Sequence, residues 1–199
     1  MNSLIQILKT LRFCRRPEVL EILGEWAAEI RLRNEIMRNH HGVVIEKGVV
    51  VLGYSPERFI ASRVRISTGT ILSFGDNCTG YSSVSIGEGS WIGQYNNFRA
   101  SEAASIKLGA NCLISEFCTL AAANHRVSKN MPVMKQEQDA QKRGIMLGDD
   151  VWLGAGCAVM AGVKIGSGCV IGANSVVTNS VPDYEIWAGV PARKIGERS

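Results

Sequence analysis

The segment from Leu147 to Pro182 divides into six blocks of six residues: LGDDVW, LGAGCA, VMAGVK, IGSGCV, IGANSV and VTNSVP. An aliphatic residue opens every block (Leu147, Leu153, Val159, Ile165, Ile171, Val177). The fifth place is small or β-branched throughout: Val151, Cys157, Val163, Cys169, Ser175 and Val181. A short period held over consecutive blocks is the mark of a parallel β-helix. Six residues supply one short strand and one turn, so three blocks close a triangular coil. The first residue of each block points inward and stacks on its counterpart in the next coil. The fifth also faces inward, but at the corner, where only a small side chain fits. Glycine in second place gives the backbone the close approach that a tight corner needs. Each coil buries its apolar face only against its neighbours.

The same spacing extends towards the N-terminus with interruptions. Ile60, Ile66 and Leu72 stand six apart, which places the first coils in this region with Ile60, Ile66 and Leu72 as inward leads. The register slips before IGEGSW-IGQYNN, led by Ile86 and Ile92, and again before Leu108, Ile114 and Leu120. Residues 17–39 read instead as a helix, with Val19, Leu23, Trp26 and Ile30 at helical spacing. Pro17 suits a first helical position, glutamates fill the early turns, arginines the late ones, and Gly42 lies just beyond the end. The apolar stripe of this helix is expected to cover an open end of the solenoid. The chain therefore divides into an N-terminal helical segment (1–42), a β-helix (43–182) with an inserted loop (121–146), and a short C-terminal tail (183–199). The fold class is mainly β.

With 22 Lys and Arg against 18 Asp and Glu, the formal charge is +4. So mild and dispersed an excess does not point to nucleic acid, and it suits an anionic small ligand equally well. Four of the six cysteines (Cys112, Cys118, Cys157 and Cys169) occupy the fifth place of a block. They are expected to be free core thiols, which fits a reducing compartment and favours the cytoplasm. No run approaches the ~20 apolar residues of a membrane span. The opening MNSLIQILKTLRFCRRP has no small-residue cleavage site and is not read as a signal peptide. Membrane association is not expected.

The largest break in the repeat runs from Ala121 to Met146; it is polar and holds Pro132 and His125. Long loops inside a compact solenoid are commonly functional. Imidazole can take and return a proton near neutrality. By position alone His125 is either a proton-transfer group or an exposed loop residue. Zinc requires three or four converging ligands, and the coil region offers one histidine, so no metal is expected.

The blocks, the inserted loop with Asn124-His125, and the closing GVPARKI (Gly189 to Ile195) together resemble the hexapeptide-repeat acyltransferases. The maltose, galactoside and bacterial polysaccharide O-acetyltransferases look nearest, over residues 60–196. This resemblance implies a left-handed β-helix and a homotrimer with active sites between adjacent prisms. It also implies acetyl-CoA as donor, a hydroxyl of a sugar or polysaccharide precursor as acceptor, and no acyl-enzyme. His125 matches the catalytic base. In YNNF, Tyr95 and Asn97 match acceptor contacts, although Asn97 reads equally as a structural ladder asparagine. In VWLGAG, Trp152 matches the residue that packs on pantetheine, and Ala155 the one whose N–H faces the acetyl carbonyl. Trp152 is otherwise an isolated surface aromatic. Ala173 and Thr178 match further cofactor contacts. Arg193 and Lys194 are placed to meet CoA phosphates, or else form a solvated basic tail. These 199 residues show no match to the N-terminal helical domain or the active-site motifs of the serine acetyltransferases, which disfavours that branch. Its N-terminal helix also differs from the region that supplies acceptor contacts in the maltose and galactoside enzymes, so the resemblance names no acceptor. N-acetylation of an amino sugar and a non-catalytic trimeric scaffold are the alternatives.

Overall fold

Alternation between a buried and an outward side chain repeats along most of the short coil strands described, and these strands wind into a solenoid. A computed structural model describes residues 17–75, 82–101 and 103–199. The opening Met1–Arg16, read above as no signal peptide, lies outside them. Contacts divide the chain into two units, Met1–Arg38 and Asn39–Ser199.

In the first unit, the helix α1 (Pro17–Asn39) has Glu18 in its first turn and Arg38 in its last, complementing its dipole. No described helix is long and apolar enough to cross a membrane.

The second unit is a parallel β-helix. The first coil comprises β1 (Val44–Ile45), β2 (Val50–Leu52) and β3 (Phe59–Ala61). The second comprises β4 (Arg65–Ile66), β5 (Ile71–Phe74) and β6 (Ser83–Ile86), and the third β7 (Trp91–Ile92), β8 (Asn97–Ala100) and β9 (Ser105–Leu108). In the fourth coil, β10 (Leu113–Ile114) and β11 (Thr119–Ala121) are followed by a hairpin, β12 (Ala123–His125) with β13 (Gln138–Arg143), before β14 (Ile145–Leu147) completes the turn. The fifth is β15 (Trp152–Leu153), β16 (Ala158–Val159) and β17 (Lys164–Ile165); the sixth is β18 (Val170–Ile171) and β19 (Val176–Val177). Every third strand pairs in parallel, giving three sheets. The first joins β1, β4, β7, β10, β15 and β18, the second β2, β5, β8, β11, β16 and β19, and the third β3, β6, β9, β14 and β17. Val181 closes the sixth coil by bridging Ile165. β20 (Glu185–Gly189) then extends the first sheet, and β21 (Ala192–Glu197) folds back on it antiparallel.

All six first-place residues from Leu147 to Val177 are buried, and so are all six fifth-place residues from Val151 to Val181. The four cysteines at fifth places are buried free thiols. Burial pushes Cys112 and Cys169 above their ordinary thiol range. Where a fifth place is polar, the coil satisfies it. Asn96 donates to the Gly93 carbonyl (2.8 Å) and accepts from the Cys118 N–H in the next coil (2.7 Å). Thr70 likewise donates to the Gly93 carbonyl from the coil before (2.9 Å).

The structure corrects one inward lead. Ile66 and Leu72 are buried, but Ile60 is 61% exposed, and Phe59 and Ala61 face the core on either side of it. Ala61 pairs with Ile86, while the Arg63 carbonyl accepts the N–H of Gly89. The corner after β3 is thus one residue shorter than the corner above it. A one-residue slip turns every side chain of a strand to its other face. Replacing Leu153 by Ala is therefore expected to cost about 2–5 kcal/mol, as deletion from a close-packed core does. Ile60→Ala is expected to cost less than about 0.5 kcal/mol. Chemical denaturation of the two variants checks both values.

His40 packs edge-on against Phe59 (5.0 Å between centroids), and its Nε2 meets the Tyr54 hydroxyl at 3.2 Å. Burial lowers its pKa from the ordinary 6.5. The folded state favours neutral imidazole, so as the pH falls the unfolded chain takes up a proton first. The stability that neutral His40 contributes is present above about pH 6.5 and is lost as the pH drops towards the lower folded pKa. Between about pH 7 and 5 the thermal midpoint of the wild type should fall more steeply than that of His40→Gln; parallel curves would remove His40 as the cause.

Candidate active site

His125 owes its position to the hairpin that interrupts the fourth coil. Ala122 is still buried in the coil, and the repeat resumes at Ile145, so the excursion itself is residues 123–144. Its neck is tied by antiparallel pairing of Ala123 with Arg143 and His125 with Gln138, and by a bond from the Gly144 N–H to the Ala122 carbonyl. Gln136 organises the rest. Its side chain is buried, accepts from the Ser128 N–H (2.7 Å), and donates to the carbonyls of Ser128 (2.6 Å) and Met131 (3.0 Å). The Gln136 carbonyl in turn lies 3.2 Å from His125 Nδ1. A carbonyl only accepts, so Nδ1 carries the proton of the neutral ring and Nε2 keeps its lone pair. His125 is exposed. Beside it Arg126, Ser128, Met131, Lys135, Gln136 and Glu137 line a hollow of about 350 Å³.

The other sequence-selected residues distribute along two corners and two sheets. Tyr95, Ala155 and Ala173 share the corner between the first and second sheets, in coils three, five and six. Asn97 begins β8 on the second sheet, and its Oδ1 is buried without a hydrogen-bond partner among the described residues. Thr178 follows β19 at the exit of the second sheet, the side from which the His125 hairpin departs two coils earlier. Trp152 projects from the first sheet, 47% exposed, and donates from Nε1 to Ser115 Oγ at 3.2 Å. Within one chain, His125 and Ala155 therefore sit at opposite edges of the second sheet.

The two kinds of corner treat their backbone amides differently. Between the third and first sheets, three third-place amides are capped by a side chain from the next coil, while that of Glu88, beneath Ala110, has no acceptor among the described residues. Ala110 N–H donates to Asp149 Oδ1 (2.7 Å), Asp149 N–H to Ser167 Oγ (3.1 Å) and Ser167 N–H to Asp183 Oδ1 (2.9 Å). At the corner between the first and second sheets, Ala173 stands above Ala155 and has no oxygen to offer. The Ala155 N–H accordingly has no acceptor among the described residues.

On the C-terminal hairpin, Lys194 and Arg193 differ. Lys194 Nζ is held by Glu185 (2.7 Å) and Glu197 (2.5 Å), which raise its pKa, while Lys194 and Trp187 Nε1 hold the Glu185 carboxyl below its ordinary range. Arg193 donates only to the neighbouring Ala192 carbonyl (2.8 Å) and has no carboxylate partner among the described residues. Phe117 was missed by sequence reasoning. It stacks flat on Tyr95, with centroids 5.3 Å apart and planes 7° from parallel. The 22 residues that separate the two conceal this contact, although both hold the fourth place of a block.

The repeating six-residue coil makes the second unit a hexapeptide-repeat β-helix, and parts of the chain are similar to known proteins. Residues 144–179 match the family described as bacterial transferase hexapeptide (six repeats). The chain is 28% identical over 173 residues to a probable acetyltransferase of Mycobacterium tuberculosis, covering 84% of this chain and 56% of that protein. It is 34% identical over 93 residues to the galactoside O-acetyltransferase of Escherichia coli, covering 47% of this chain and 44% of that one. The chain thus spans about half the length of these two relatives. Among solved structures it is similar to AntD, an N-acyltransferase from Bacillus cereus in complex with dTDP and 3-hydroxybutyryl-CoA. That likeness has a TM-score of 0.66 at 28% identity and covers 80% of this chain and 82% of that one.

Gln136→Ala would leave the Ser128 amide and two carbonyls without partners, a loss of about 1–3 kcal/mol borne by the excursion alone. Amide exchange at Ser128 should quicken while that at Leu153 is unchanged; unaltered exchange at Ser128 would mean that Gln136 does not hold the loop.

Proposed function

We propose that this protein transfers the acetyl group of acetyl-CoA to a hydroxyl of a sugar or polysaccharide precursor. The observation that carries the reading is the bond between His125 Nδ1 and the Gln136 carbonyl, which leaves Nε2 free as a base on an exposed hairpin. Nε2 takes the proton of the acceptor hydroxyl as its oxygen attacks the thioester carbonyl. The carbonyl oxygen becomes an oxyanion, which the open Ala155 N–H stabilises. The C–S bond breaks, and the departing CoA thiolate recovers the proton from His125. No acyl-enzyme forms, and holding both substrates together supplies much of the rate.

The remaining residues fall into binding roles in this reading. Tyr95 and Asn97 meet the acceptor, and the buried, unpartnered Asn97 Oδ1 suits a hydroxyl donor. Trp152 packs on pantetheine, Ala173 and Thr178 border its path, and Arg193 meets phosphate. Lys194, committed to two carboxylates, contributes mainly by fixing β21 against β20. A homotrimer is the proposed working unit, in which the His125 hairpin of one copy would meet the Ala155 corner of its neighbour; the position of the two at opposite edges of the second sheet within one chain supports that reading. Similarity to AntD favours a second reading, acyl transfer to the amine of an amino sugar, which the same base would serve.

Acceptor-stimulated CoA release, measured across matched hydroxyl and amino sugars, tests the proposal. His125→Ala should lower kcat by about 10²–10⁴-fold without weakening acetyl-CoA binding. Ala173→Ser copies the oxygen that Ser167 offers to Asp149 and should occupy the Ala155 N–H, lowering kcat about 10²-fold. Near-wild-type turnover by His125→Ala would reject the base assignment, and amine-only stimulation would favour the second reading.

A further inference from the structure

The fourth-place residues at the corner between the first and second sheets form a column: Gly69, Tyr95, Phe117, Gly156 and Asn174. Hydrogen bonds stack them coil on coil. Tyr95 N–H donates to the Thr68 carbonyl, Phe117 N–H to Gln94, Gly156 N–H to Glu116 and Asn174 N–H to Ala155, all at 2.8–3.0 Å. Every member has a positive φ, 56° at Tyr95 and 58° at Phe117. Each side chain leans back over the coil before it. A Cβ at Gly69 would fall inside the Tyr95 ring, and one at Gly156 would meet the Asn174 carboxamide. Phe117 leans onto Tyr95 in the same way.

Tyr95 is therefore closed on both faces, by Gly69 beneath and Phe117 above. Phe117 is closed on one face only. The residue whose side chain would lean over the other is Gly156, which has none, and Phe117 stands 63% exposed. An aromatic side chain in the left-handed region is costly, whereas Asn and Asp enter it readily. Asn111, Asp150 and Asn174 fill other such places at positive φ, and at the corner between the third and first sheets a single aromatic, Tyr184, leans over Gly168. Two aromatics in succession thus give up backbone ease, and such strain persists where the surroundings fix it, characteristically at binding sites. The product is a rigid double ring whose open face lies in the coil below Gly156, next in the chain to the open Ala155 N–H.

We propose that the open face of Phe117, backed by Tyr95, receives the C–H face of the acceptor's pyranose ring and selects the acceptor. Phe117 becomes a specificity-determining residue that nothing in the repeat pattern marks. The inference rests on the sugar-acylation reading above. It commits to the acceptor rather than to pantetheine because pantetheine is an open chain with no ring to stack, and its proposed partner, Trp152, lies on the outer row of the first sheet.

Phe117→Asn keeps a residue at ease in the left-handed region and removes only the ring. Its thermal midpoint should equal or exceed that of wild type. The acceptor KM should rise about tenfold, the worth of an aromatic contact with its buried area, while the acetyl-CoA KM stays unchanged. Phe117→Trp should restore acceptor affinity. An acceptor KM within about twofold of wild type, an equal rise in both KM values, or a changed oligomeric mass would overturn the proposal, the last by making Phe117 a subunit contact. If no sugar stimulates CoA release by the wild type, the parent reading fails. The platform is then decided by saturation-transfer NMR with methyl β-galactopyranoside and methyl α-glucopyranoside. Saturation at ring C–H positions that persists in His125→Ala and vanishes in Phe117→Asn supports it; no saturation of either sugar by the wild type overturns it.

Discussion

Two inward positions in every six hold this β-helix together. Leucine, isoleucine or valine at the first place and a small residue at the fifth fill the interior, while the backbone pairs coil to coil. At about 25 cal/mol per Å² of apolar area, a fully buried aliphatic side chain contributes about 1.5–3 kcal/mol. The core repeats that contribution along the axis with little help from outward residues. Four places in six are thereby released from packing duty. Trp152, Tyr95, Phe117 and Asn97 all occupy such released places, and each can serve chemistry because the core does not depend on it.

The corners show how little is needed to turn scaffold into site. At one corner Asp149, Ser167 and Asp183 each cap an amide of the coil before, so the backbone there is spent on structure. At the next, Ala173 offers no oxygen, and the Ala155 N–H has no acceptor among the described residues. A preorganised donor of that kind needs no rearrangement when negative charge develops. The buried clamp of Gln136 performs a related service for His125 by holding the carbonyl that fixes its tautomer.

How much of this was legible in the sequence followed the range of the interactions involved. The blocks from Leu147 to Pro182 repeat without interruption, so burial of their first and fifth places, and of the four cysteines, could be read directly. Ile60 could not, because the corner after it is one residue short and periodicity alone does not reveal a missing residue. His125 stood out as an unusual residue in a long insertion, but its partner is a backbone carbonyl eleven residues away that any side chain at 136 would carry. The commitment of Lys194 to Glu185 arises from an antiparallel fold-back that follows no hexapeptide rule. Phe117 and Tyr95 meet because coils three and four stack, and an irregular stretch between their blocks hides the common register.

The hairpin in the fourth coil also bears on how the chain can change. Leu113 pairs with Trp91, 22 residues earlier, and with Trp152, 39 residues later. Closure entropy grows only logarithmically, so even a doubling of that separation adds about 0.6 kcal/mol. The excursion begins and ends beside paired strands, which keep their register whatever its length. Insertions and deletions between Ala123 and Gly144 are therefore thermodynamically mild, whereas one residue gained or lost inside a coil reverses a strand. Variation in length among descendants of this scaffold should collect at the segment that bears His125, which would let that exposed hairpin diversify while the solenoid beneath it stays the same.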